Sequence, residues 1–195
     1  LFQPAIAVDK TGDTLSKIGD DVDYTFTLSN NSSADTPDMV CTAVDTHFGT
    51  IFEGVLPLGD TVIDRTRTVL ETDLDPLENT VTLTCSPDGF PNVLEVTDNY
   101  SVNLFQPDVD VEKTGPDYSK VGDVVTYTVT IQNTSSDDSP DLLLADYTDD
   151  RLPVGFDIPA DCEVLAAVDD LLTLDDETQC SFTYDYEVLP TDDNG

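Results

Sequence analysis

The chain has 195 residues, of which 41 are acidic and 7 basic, giving a formal net charge of −34. A surface this acidic repels nucleic acid and anionic lipid, and no stretch approaches the ~20 consecutive apolar residues of a helical membrane span. Apolar residues make up 38% of the chain and recur at regular spacing, so packed strands are expected rather than acidic disorder.

The opening "LFQPAIAVDK" lacks the apolar run of a signal peptide, so any export signal or anchor is expected outside this sequence. Its run "AIAVDK" alternates with period two, as a half-buried strand does, and puts Lys10 on the same side as Ile6 and Val8. The next run, "IGDDVDYTFTLSNNSS" at 18–33, turns Val22, Tyr24, Phe26 and Leu28 to one face, and Asp20 shares their parity. Further strands are expected at "DMVCTAVD" (38–45), "TVIDRTRTVL" (61–70), "NTVTLTC" (79–85) and "VTDNYSVNL" (96–104), separated by Gly, Pro, Asn and Asp clusters. Asn79 has the parity of Val81 and Leu83.

From residue 104 the pattern begins again. Residues 104–141 match residues 1–38 without a gap at 22 of 38 positions, and "VGDVVTYTVTIQNTSS" at 121–136 restates 18–33. This is an internal repeat. The second copy again alternates, with Val125, Tyr127, Val129 and Ile131 opposite Thr126, Thr128, Thr130 and Gln132. Its end, "YEVLPTDDNG", corresponds to the stretch from Thr68 onward in the first copy, so counterparts of the last two strands are not among these residues. The expected architecture is all-β: tandem immunoglobulin-like antiparallel β-sandwiches, 1–103 and 104–195, the second incomplete. The missing strands are expected from further repeats of the same chain or, by strand donation, from a copy of it.

Four cysteines fall two to each copy, and Cys41–Cys85 and Cys162–Cys180 are the expected disulfides of an oxidising compartment. Acceptor patterns for N-glycosylation begin at Asn30, Asn31, Asn99 and Asn133.

The residues "VEKTGPDYSKVGDVVTYTVTIQNTSS" resemble the bacterial and archaeal surface-protein family known as the conserved repeat domain of unknown function, with its K-T-x and VGDxVTYTxTxxN signature. "NTVTLTCSPDGFPN" looks like that family's closing strands. The resemblance implies Ig-like domains in tandem arrays on a secreted or wall-attached protein, and no catalytic activity. Asp21 and Asp23 depart from the signature, which prefers apolar residues or Thr there.

Enzymatic chemistry finds little to rest on. His47 is the single histidine and no nucleophile motif surrounds it, while the carboxylates are too numerous for any pair to be informative. Two constellations remain. Lys10, Asp20 and Asn79 are all expected to face inward, and a buried lysine beside a protonated acid and an asparagine is the set an intramolecular isopeptide bond requires, as in sandwiches resembling collagen-adhesin domains; the plain alternative is a Lys10–Asp20 ion pair. Asp137, Asp138, Asp141, Asp146, Asp149 and Asp150 supply the hard oxygens of a calcium site, or else a solvated acidic surface. The expected function is an extracellular structural repeat protein, such as a stalk, filament or adhesin shaft. The rival is a carbohydrate- or protein-binding module of a larger secreted protein, which lacks the support of any Trp for an aromatic platform.

Overall fold

A computed structural model describes residues 1–144, 146–165 and 178–192. The described residues form an all-β structure in two compact units, Leu1–Leu104 and Phe105–Gly195. The boundary falls one residue later than the repeat suggested, because Leu104 completes the last strand of the first unit and is buried in its core. No α-helix occurs among the described residues; a short 3-10 turn spans Ala160–Cys162.

The first unit contains β1 (Ile6–Gly12), β2 (Leu15–Ser16), β3 (Asp21–Asn30), β4 (Met39–Asp45), β5 (Gly49–Leu56), β6 (Gly59–Thr68), β7 (Leu77–Pro87) and β8 (Leu94–Leu104). Strands β1-β3-β6 form one sheet and β2-β8-β7-β4-β5 the other; all pairs are antiparallel except β2 with β8. The alternation in the sequence sets which side chains meet. Val22, Tyr24, Phe26 and Leu28 from β3 are buried with Met39, Cys41 and Ala43 from β4 and Val81, Leu83 and Cys85 from β7. One core therefore lies between the two sheets. Cys41 and Cys85 sit directly opposite each other on β4 and β7 and are joined, so this disulfide staples neighbours within one sheet.

Strand β5 is not among the runs anticipated from sequence. Its period-two pattern is broken at Ile51, where the register with β4 shifts between the pairs Ala43–Phe52 and Val44–Thr50, and its inward position opposite Cys41 is a glycine, Gly54.

The second unit contains β9 (Val109–Thr114), β10 (Val124–Asn133), β11 (Leu142–Leu143), β12 (Val164–Leu165) and β13 (Gln179–Glu187). Strands β13-β10-β9 form one sheet and β11 pairs with β12. Val129, Ile131, Phe182 and Tyr184 are buried with the Cys162–Cys180 disulfide. Strand β13 occupies the place of β6: Val188 N–H donates to Asp123 O at 2.9 Å, as Val69 N–H donates to Asp20 O at 2.8 Å.

Residues identical in the two copies make the same scaffold contacts. The amide of Asn30 donates to Leu56 O at 2.8 Å and its Oδ1 accepts from Ser32 N–H; Asn133 does the same with Leu165 O and Ser135 N–H. Ser33 Oγ accepts from Gln3 N–H and Ser136 Oγ from Gln106 N–H, both at 2.8 Å. So "LFQP" recurs with "N-x-S-S" because each loop holds the segment that enters its own unit. Gly12 and Gly115 recur for lack of room: a Cβ would lie 2.7 Å from Asp23 O at the first and 2.8 Å from the Tyr127 ring at the second. Gly19 and Gly122, with φ of +87° and +84°, make the turn before β3 and β10.

Candidate functional site

The chemistry-bearing residues of the first unit gather between its sheets. Strand β1 pairs with β3, setting Lys10 opposite Phe26 and Gly12 opposite Tyr24, and the period-two pattern turns Lys10 inward, where its side chain is 0% exposed. Nζ lies 5.0 Å and 5.1 Å from the ring centroids of Tyr24 and Phe26, with Phe48 packed edge-on against both rings.

The carboxylate that meets Lys10 belongs to Asp45, the last residue of β4 on the opposite sheet. Lys10 Nζ donates to Asp45 Oδ2 at 2.8 Å, and the Asp45 side chain is also 0% exposed. The other oxygen, Oδ1, accepts from the backbone N–H groups of His47 and Phe48 at 2.9 and 3.1 Å. This is an Asx-type turn, and it explains the position: an aspartate ending a strand caps the turn that follows. Burial pulls Lys10 toward its neutral amine, against the hydrogen bond and charge of Asp45 and the charge of Asp98. The backbone N–H of Lys10 donates to Asp98 Oδ2 at 2.7 Å.

Asn79, on β7, is 1% exposed. Val81, two residues on, pairs with Asp45, so both polar side chains belong to the same inner face of the sheet. Asn79 Oδ1 accepts from the Thr46 hydroxyl at 2.7 Å, while Nδ2 makes no well-formed hydrogen bond. The amide lies beside the Tyr24 hydroxyl, whose ionisation is pushed up, chiefly by burial, against the charge of Arg67 and the hydrogen-bonding influence of Asn79.

The acid anticipated for Lys10 is therefore corrected. Asp20 precedes β3 in a surface turn and pairs with Lys17 at 2.5 Å, both side chains well exposed. Its parity with Val22 does not carry through, because the strand begins at Asp21 and Gly19 turns the backbone just before it. Asp45 gave a signal that parity would have caught, since it alternates with Met39, Cys41 and Ala43, but at the end of a run it reads as the first residue of a polar loop.

His47 follows Asp45 in the turn between β4 and β5. Burial, then the charge of Arg67, lowers its affinity for a proton, and its Nδ1 is buried without a partner. The glycosylation patterns divide. Asn30 and Asn133 are 5% and 1% exposed with their amides bonded inside the fold, so neither presents an amide to a glycosylating enzyme, whereas Asn31 and Asn99 are exposed.

In the second unit Lys113, the counterpart of Lys10, pairs with Asp149 at 2.6 Å and lies 4.2 Å from the Tyr127 ring centroid, with 31% of its side chain exposed. Burial alone would raise the Asp149 carboxyl, but hydrogen bonds from Lys113 and from Arg151 N–H outweigh it and pull it down to about 2. The anticipated calcium ligands do not converge: Asp149 is committed to Lys113, Asp150 lies 3.5 Å from Arg151, and among the described residues no three His, Cys, Asp or Glu side chains gather at metal-holding distance. A cavity of ≈ 470 Å³ in the second unit is lined by Leu144, Tyr147, Leu152 and Phe156, with Asp146 and Glu163 at its wall.

Among the described residues no helix is long and apolar enough to cross a membrane. Comparison with protein-family models, curated proteins and solved structures finds no match to this chain.

Proposed function

We propose that the chain is part of an extracellular structural repeat protein, a stalk, filament or adhesin shaft in which immunoglobulin-like β-sandwiches follow one another. The observation that carries this reading is where the repeated residues go. Asn30, Ser32, Ser33, Gly12 and Gly19, with their counterparts Asn133, Ser135, Ser136, Gly115 and Gly122, are all used to make strands, turns and the entry of the chain into each unit. What is copied is a scaffold, and copying a scaffold adds length. The two disulfides suit an oxidising environment. A net charge of −34 suits a surface kept soluble and apart from nucleic acid. The likeness of "VEKTG…VGDVVTYTVTIQN" to tandem surface repeats points the same way. No catalytic role is assigned, since the buried Lys10–Asp45 pair lies in a core closed to substrate.

The location is tested on intact source cells with a membrane-impermeant amine reagent and antibodies against residues 1–195. Labelling and antibody binding without permeabilisation are expected; signal that appears only after lysis would overturn the proposal.

A further inference from the structure

We propose that Lys10 and Asn79 are joined by an intramolecular amide bond that ties the two sheets of the first unit together, with Asp45 as the acid that promotes it. The disulfide of this unit links β4 to β7 inside one sheet, so among the described residues of the first unit no disulfide crosses from sheet to sheet. Lys10 and Asp45 already make that crossing as a buried pair, and β1 runs close against β7, which carries Asn79.

The state of each polar atom fits the reaction. Asp45 Oδ1 is held by two backbone N–H groups, leaving Oδ2, the oxygen on Lys10, to receive a proton. Asn79 Oδ1 is fixed by the Thr46 hydroxyl, which orients and polarises the carbonyl. The atom that would leave, Nδ2, is buried beside the Tyr24 hydroxyl and makes no well-formed hydrogen bond. The rings of Tyr24, Phe26 and Phe48 keep the group dry. In such surroundings burial favours the neutral amine over the ammonium.

The steps balance. The Lys10 ammonium gives a proton to Asp45 Oδ2, leaving a neutral amine and a neutral carboxylic acid. The amine attacks Asn79 Cγ, and the acid hydrogen-bonds the oxygen as it gains charge. One proton of the attacking nitrogen passes through the Asp45 carboxyl to Nδ2, the Cγ–Nδ2 bond breaks and ammonia leaves. The products are a Lys10 Nζ–Asn79 Cγ amide and a protonated Asp45, with no oxidant or cofactor consumed.

The test is the intact mass of the purified, reduced 195-residue chain, followed by peptide mapping with tandem mass spectrometry. The expected result is a mass one ammonia below that of the sequence and a branched peptide joining the Lys10 and Asn79 segments. Asn79→Ala, Lys10→Arg and Asp45→Asn are expected to abolish the branched peptide, and Asp20→Ala to keep it. A full-mass folded wild-type chain, or an ammonia loss found in an unbranched peptide, overturns the bond. A branched peptide that survives Asp45→Asn, or disappears in Asp20→Ala, overturns the role of Asp45. Should Asp45→Asn fail to fold, the wild-type branch still decides the bond and Asp20→Ala still decides between the two acids.

Discussion

In an Asn79→Ala background, which cannot form the Lys10–Asn79 amide, replacing Asp45 with alanine leaves Lys10 buried without the carboxylate at its Nζ, and the size of the loss follows from the geometry. The pair is 2.8 Å apart with both side chains 0% exposed. Breaking a buried pair by removing one partner costs about 3–5 kcal/mol. The cost has a ceiling, because Lys10 can shed its proton; doing so at neutral pH, some three units below its ordinary value, takes about 5 kcal/mol. The variant also strips an acceptor from the N–H groups of His47 and Phe48, about 1 kcal/mol each. A total near 5–7 kcal/mol is comparable to the whole stability of a domain this size. Hydrogen exchange on the full chain, read at the β3 amides of residues 21–30, is expected to show protection falling by at least two orders of magnitude, at about 1.4 kcal/mol per decade. The control is Asp20→Ala, whose pair with Lys17 is exposed and contributes no more than about 1 kcal/mol. Equal effects from the two variants, or a loss below about 1 kcal/mol for Asp45→Ala, would refute the reasoning.

Other outcomes follow from the same structure. The second unit is expected to weaken in acid: the folded Asp149 carboxyl, at about 2, lies below its ordinary value of 3.8, so between those values the unfolded chain binds more protons and stability falls as pH drops. About 2 kcal/mol present at neutral pH is lost across that window, and a pH series of unfolding midpoints in which Asp149→Asn kept the same acid slope would contradict this. Removing Cys41 and Cys85 together, which are 44 residues apart, is expected to cost the first unit about 4 kcal/mol by loop entropy, checked by denaturant unfolding of the oxidised parent and the double variant. Asn30→Ala is expected to cost about 2–3 kcal/mol by stranding Leu56 O and Ser32 N–H, with Asn133→Ala acting likewise in the second unit. In a glycosylating host, glycan mapping is expected to find any sugar on Asn31 or Asn99 and none on Asn30 or Asn133.

Where alternation is strict and uninterrupted, the sequence is a good guide to this fold. β3 and β10 place every inward residue as the period-two reading requires, and the spacing of the cysteines suffices to pair them. Reading fails where backbone conformation changes. The bulge at Ile51 hid β5, and the Gly19 turn cut Asp20 off from the parity of the strand it precedes. Lys10 and Asn79 were legible as inward polar residues because each sits inside an alternating run. Asp45 has the same parity signal but ends its run and reads as the start of a polar loop, and its partnership with Lys10 was not legible because register across a core is not written in either strand alone. The aspartate cluster of the second unit failed for a related reason: proximity in sequence says nothing of which carboxylates are already taken by Lys113 and Arg151.

Immunogold electron microscopy of native material, with antibodies against residues 1–195, tests the structural reading most directly. The account predicts gold along fibres or beaded rods that extend from the cell surface, spaced at a regular repeat. Gold confined to the cell interior, or scattered on globular particles with no elongated form, would contradict it.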